Sequence, residues 1–222
     1  MNFTEELLHE LEKNSSIENT IPMENYMKNN FKFLGIKTES RRTILKNVLL
    51  KHYTEVQENY RKLALELYAS KFREVHQCAI DLVLRFIKKD FKREDKFFLE
   101  SLLIQNSWWD SVDTIAKYGI GGYLKVFPDE KFSLIEKFSN SDNMWLNRTA
   151  IIFQLGFKKE TDFELLKAEC LKNSNSNEFF IQKAMGWALR DYGATNPQAV
   201  LQFVNENNFK PLTVKEALRK IT

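Results

Sequence analysis

The sequence predicts an all-α protein, a curved stack of paired helices with a concave face. Three observations carry that expectation. Only 7 glycines and 4 prolines punctuate 222 residues, too few breakers for the many turns of an all-β chain. Apolar residues recur at three- and four-residue intervals along nearly the whole length. The segments with this pattern come in pairs joined by short connections.

Leu7, Leu8 and Leu11 mark a first helix within an acidic amphipathic stretch from Met1 to Lys13. Tyr26, Met27, Phe31 and Leu34 line a second, with Pro22 near its start and Gly35 at its end. Thr38 or Ser40 can cap a third, whose Ile44, Leu45, Val48 and Leu49 share a face. The pattern returns at Tyr60, Leu63, Leu67 and Tyr68, then at Val75, Ala79, Leu82, Val83 and Phe86. Phe98, Leu99, Leu102 and Leu103 follow. Ser107 is an N-cap candidate before Trp108 and Trp109, and Gly119, Gly121 and Gly122 read as turn residues. Trp145, Thr149, Ile152 and Phe153 line a strongly apolar helix, and Phe163, Leu166 and Cys170 a shorter one. The stretch Lys172 to Asn177 reads as a loop. Ile181, Ala184, Met185, Ala188 and Leu189 form another helix. Asn196 then supplies a side-chain acceptor ahead of Pro197, which has no N–H to satisfy. Leu212 to Ile221 closes the chain.

This amounts to about a dozen short helices. Two-helix units recur roughly every 35 to 45 residues, near the period of HEAT-like repeats. The expected architecture is a HEAT-like helical-repeat solenoid, with residues 1–222 forming a single α-helical repeat domain. The concave face of a solenoid suits an extended partner.

Charged residues at 28% and hydrophobic ones at 43% place the chain among soluble globular proteins. A net charge of +3 permits a polyanionic partner without requiring one. Cys78 and Cys170 lie far apart and outside any CxxC or CxxH spacing, so two reduced thiols are expected. The N-terminal stretch lacks a basic segment followed by an apolar one, and no apolar run approaches the roughly 20 residues of a bilayer span. A cytoplasmic protein without membrane association is the expectation. His9, His52 and His76 have no ligand-like spacing, and no phosphate-cradling glycine loop or GxSxG elbow is present, so no metal or cofactor is expected.

Three segments can carry chemistry. In Ser107-Trp108-Trp109-Asp110-Ser111-Val112-Asp113, Trp109 and Asp113 stand four apart on one helical face. A carboxylate beside an indole favours a cationic substrate or transition state. The competing reading is core tryptophans with acidic residues suited to a helix start. In Met144 to Ala150, Arg148 can fork onto a phosphate, or it can be solvated or paired internally. In Phe179 to Arg190, Lys183 and Trp187 share a face and Gly186 permits close approach, although an ordinary core tryptophan fits equally. Other basic residues are spread along the chain, among them Arg41, Arg42, Lys158 and Lys159.

These segments, in this order, resemble the AlkD-type alkylpurine DNA glycosylases, which are HEAT-like repeat proteins. The resemblance begins at Tyr26-Met27-Lys28-Asn29 and Phe33-Leu34-Gly35-Ile36. It continues through Ser107 to Asp113, Trp145-Leu146, Arg148 and Phe153-Gln154-Leu155. It ends with Phe179 to Ala184, Gly186-Trp187, Leu189-Arg190 and Thr195-Asn196-Pro197. It implies that Trp109 and Trp187 form an aromatic cradle, that Asp113 is the catalytic carboxylate, and that Arg148 contacts the DNA backbone. Tyr26, Lys37, Lys183 and Arg190 join Arg148 as expected DNA contacts. The family carries Gln where this chain has Lys37, which either adds a phosphate contact or is a surface substitution. The implied activity is hydrolysis of the N-glycosidic bond of N3- and N7-alkylated purines in double-stranded DNA, by a monomer without metal or cofactor, and without a deep base pocket. The competing class is a non-catalytic repeat module that binds DNA or protein. Asp113 separates the two, because a carboxylate repels phosphates and a pure DNA binder has no need of it.

Overall fold

The computed structural model describes residues 1–221. It is helical throughout, and the chain divides into two compact units, Met1–Asp90 and Phe91–Thr222.

The first unit contains α1 (Phe3–Lys13), α2 (Ile17–Tyr26), α3 (Thr38–Lys51), α4 (Tyr53–Tyr68) and α5 (Arg73–Phe86). Asn2 and Glu5 form a reciprocal capping box on α1, whose Phe3, Leu7 and Leu11 are wholly buried. The second helix departs from expectation. It starts earlier and ends at Tyr26, with Pro22 inside it. The chain breaks there because Lys28 and Asn29 adopt left-handed backbone, at φ 53° and 58°. Phe31 and Leu34 therefore lie in a loop. That loop is held from below by Glu74, a buried carboxylate that accepts the backbone N–H groups of Leu34, Gly35 and Ile36 at 2.9–3.1 Å. Gly35 is required at φ +82°, where an added Cβ would sit 2.0 Å from the Ser16 carbonyl oxygen. The position before α3 belongs to Lys37, which makes no side-chain cap, and Thr38 is the first helical residue. Arg41, one of the scattered basic residues, is buried and pairs with Asp81 at 2.9 Å.

The second unit begins with α6 (Asp95–Ile104). Next, α7 (Trp109–Thr114) runs through a π-helical stretch, Ile115–Ile120, into α8 (Gly121–Val126). Then follow α9 (Lys131–Ser139), α10 (Met144–Ile152), α11 (Phe163–Lys172), α12 (Phe179–Gly193), α13 (Pro197–Glu206) and α14 (Pro211–Leu218). Periodicity missed α9, a short helix whose buried apolar residues are Leu134, Ile135 and Phe138. Gly119, Gly121 and Gly122 are helical and do not make a turn, because other chain segments press against them. A Cβ on Gly121 would come 2.4 Å from the Phe153 carbonyl oxygen, and one on Gly119 would come 2.9 Å from Leu99. Ser107 does not cap α7. Its hydroxyl donates backwards to the Leu103 carbonyl, and Trp108 takes the cap position. Asn196 does cap α13, accepting from Ala199 N at 3.1 Å ahead of Pro197. The core of this unit draws Ala116, Ile151, Leu166, Met185, Leu189 and Phe203 from five helical segments.

Cys78 and Cys170 are both free and buried. Burial pushes the Cys78 thiol up to about 11 and the Cys170 thiol higher still, so neither is a ready nucleophile. Among the described residues, no helix is long and apolar enough to cross a membrane.

Candidate active site

The second unit assembles the site from three helices. Asp113 closes the second turn of α7, four residues after Trp109, so both project from one face. Arg148 lies on α10, which packs on both α7 and α12. The start of α10 is set by Asn143, whose side chain accepts from Trp145 N at 2.9 Å. Trp187 lies midway along α12, half-buried and packed against the core of the unit.

Arg148 takes hold of Asp113 with both edges of its guanidinium. Nε donates to Oδ1 at 2.7 Å and Nη2 donates to Oδ2 at 2.8 Å. Nη1 donates to the backbone carbonyl of Phe180, at the start of α12. Bidentate geometry of this kind is the strong form of the charge-assisted hydrogen bond. Arg148 is only 4% exposed. Of the sequence's alternatives for Arg148, a phosphate contact, a solvated side chain or an internal ion pair, the structure forms the internal ion pair. The physical reason is its place on a buried apolar helix, where a charge must find a partner inside. The Asp113 side chain keeps an open edge, 16% exposed. Burial pushes its carboxyl above the ordinary aspartate range, the Arg148 hydrogen bonds and charge pull against that rise, and Asp110 adds to it.

Lys183 and Arg190 flank Trp187 on α12, and both meet Glu216 of α14, at 2.8 Å and 2.7 Å. Arg190 also donates to the Glu216 carbonyl oxygen at 3.0 Å. The two cations hold the Glu216 carboxyl down to about 2. Both are expected DNA contacts; in this structure each is paired with Glu216, and the Lys183 side chain stays 37% exposed. Gly186 makes this possible, since a Cβ there would come 2.4 Å from the Glu216 Cβ. Glu216 was missed in the sequence because nothing in its own segment marks it. Its role depends on α14 lying along α12.

Tyr26 and Lys37 belong to the first unit. They bracket the loop that Glu74 holds, Tyr26 at the end of α2 and Lys37 just before α3, and both are exposed. Asp113, Trp109, Arg148, Trp187, Lys183 and Arg190 all belong to the second.

A fold of stacked helices with a desolvated, arginine-clasped carboxylate one turn from a tryptophan defines a class: an α-helical repeat protein with a built acidic site. Comparison with known proteins identifies the family. Residues 7–221 match the family described as "DNA alkylation repair enzyme", and the chain belongs to it. It is also similar to a solved structure described as a predicted DNA alkylation repair enzyme from Enterococcus faecalis. Identity is 32%, the TM-score is 0.85, and the match covers 93% of this chain and 96% of that one. AlkD2 from Streptococcus mutans shares the fold at a TM-score of 0.64 and 16% identity, over 97% of this chain and 96% of that one. Among curated proteins there is no match.

Proposed function

We propose that this DNA alkylation repair protein is a monofunctional DNA glycosylase. It hydrolyses the N-glycosidic bond of cationic N3- and N7-alkylated purines in duplex DNA. The observation that carries the reading is the Asp113 carboxylate, buried yet open on one edge and oriented through both oxygens by Arg148.

Alkylation at N3 or N7 makes a purine cationic and hence a good leaving group. As the C1′–N bond breaks, the base departs neutral and positive charge moves onto the sugar as an oxocarbenium ion. A carboxylate nearby stabilises that charge and can orient or deprotonate the attacking water. Arg148 uses one lone pair on each Asp113 oxygen, leaving others to accept from a water. The charge of Arg148 also offsets part of the carboxylate's repulsion of phosphates. The indole faces of Trp109 and Trp187 favour the cationic lesion over the neutral base. Arg148 is then an orienting residue, while Tyr26 and Lys37 remain the exposed candidates for backbone contact. The resemblance to glycosylases without a deep base pocket supports chemistry at the duplex surface, an arrangement that would tolerate bulky adducts.

The test is release of free 7-methylguanine and 3-methyladenine from methylated duplex DNA by the wild type and by Asp113→Asn. Release by the wild type alone is the expected result. If neither protein releases base while both bind duplex, the chain is a binding module and the catalytic reading is lost.

A further inference from the structure

Three aromatic rings close a triangle beside the ion pair. Trp108 and Trp145 have centroids 5.7 Å apart, Trp108 and Phe180 5.4 Å, and Trp145 and Phe180 5.1 Å. Each ring comes from a different element of the site. Trp108 is the residue before α7 and adjoins Trp109. Trp145 stands in the first turn of α10, three residues before Arg148. Phe180 stands in the first turn of α12, seven residues before Trp187 and so on the same helical face. The triangle thus joins the N-terminal ends of the three helices that carry the site.

It also reaches the ion pair directly. The Phe180 carbonyl accepts the remaining arm of Arg148, so the guanidinium is fixed at three points: both Asp113 oxygens and this one. Among the described residues, Phe180, at the start of α12, supplies that third point. Its backbone is placed by where its ring packs. Aromatic pairs at these separations contribute beyond their buried area and prefer defined angles, so they fix position as well as filling space.

We infer that Trp108, Trp145 and Phe180 are positioning residues, which hold Arg148 on Asp113 and thereby keep the carboxylate ionised and aimed. The inference rests on the glycosylase reading for its catalytic consequence, but its structural half does not. If the triangle loosens, Phe180 shifts, the third anchor goes, and Arg148 pulls less strongly on a carboxyl that burial already disfavours in its charged form. The charges acting on Asp113 are Arg148 on α10 and Asp110 on its own helix. Lys117, on the π-helical stretch, lies over its neighbour's ring at Tyr118. Lys183 on α12 is held by Glu216. None of these replaces Arg148.

The experiment uses the full chain with Trp145→Leu, Trp145→Phe and Trp108→Leu. Three quantities are read: the pH profile of kcat for 7-methylguanine release, the titration of the Asp113 carboxyl carbon by NMR, and Tm. In both Leu variants the acid limb of kcat and the Asp113 midpoint should rise together by about one pH unit, a tenfold change in proton affinity. KM should stay within twofold, and Trp145→Phe should restore both values. An Asp113 midpoint that stays put while Tm falls would make the triangle ordinary packing and overturn the inference. If Trp145→Leu does not fold, Trp108→Leu and Trp145→Phe carry the same test. A moved midpoint in a protein whose wild type releases no base would uphold the positioning role and refute the glycosylase reading separately.

Discussion

Glu74 in the first unit and Asp113 in the second are both carboxylates drawn into the fold, and they are satisfied in different ways. Glu74, in the first unit, accepts from three consecutive backbone N–H groups. Those donors are neutral and cannot withdraw without unfolding the Leu34–Ile36 loop. Asp113, in the second, accepts from a side-chain guanidinium and keeps an open edge. The first arrangement consumes the carboxylate in holding a loop. The second leaves lone pairs and charge available to something outside. Burial alone therefore does not separate the two acids; the open edge of Asp113 does.

The strongest way to break that contrast is to neutralise each acid. Asp113→Asn should lower base release by at least about a hundredfold, the usual weight of a lost electrostatic or acid–base contribution, with duplex binding retained. Single-turnover kinetics with a binding titration checks it, and full activity would remove Asp113 from the chemistry. Glu74→Gln should do the reverse. It turns a donor towards backbone N–H groups and should cost about 1–3 kcal/mol of stability, read by urea unfolding, with kcat of the folded protein unchanged. A selective loss of kcat would erase the distinction between the two acids.

Smaller effects sharpen the comparison within the second unit. Gly186→Ala forces a Cβ onto Glu216 and should cost about 1–3 kcal/mol by overpacking, with base release falling through displacement of Trp187. Calorimetry and kinetics on the same sample would separate the two. The acids Asp113 and Glu216 should also respond to pH with opposite sign. The Asp113 carboxyl is raised by burial, so the stability it contributes is present below its unfolded value and lost as pH rises through the folded one. In the proposed reaction it acts in its ionised form, so base release should fall on the acid side at a midpoint above that of an exposed aspartate. Glu216 is held down to about 2 from an ordinary 4.5, so its stabilisation is present above 4.5 and lost as pH falls towards 2. Glu216→Gln should flatten stability across that window, measured by unfolding at stepped pH. The smallest change expected is Lys37→Gln, which removes one exposed charge. It should lower duplex affinity by a few-fold at most and the salt slope by about one.

What the sequence by itself determined is what neighbouring residues settle among themselves. Helical periodicity, the Asn196–Pro197 start of α13 and the shared face of Trp109 and Asp113 all depend on residues within a turn or two. Even locally it failed where backbone conformation overrode apolar spacing, as at Lys28 and Asn29. The tertiary structure alone decided where the charges point. Arg148 meets an aspartate 35 residues away, and Lys183 and Arg190 meet a glutamate 33 and 26 residues on. It likewise turned Gly119 and Gly121 from apparent breaks into points of close helix packing. The reason is physical. A helix follows from short-range periodicity, but the partner of a buried charge follows from which helices lie side by side. That is decided by the packing of the whole unit.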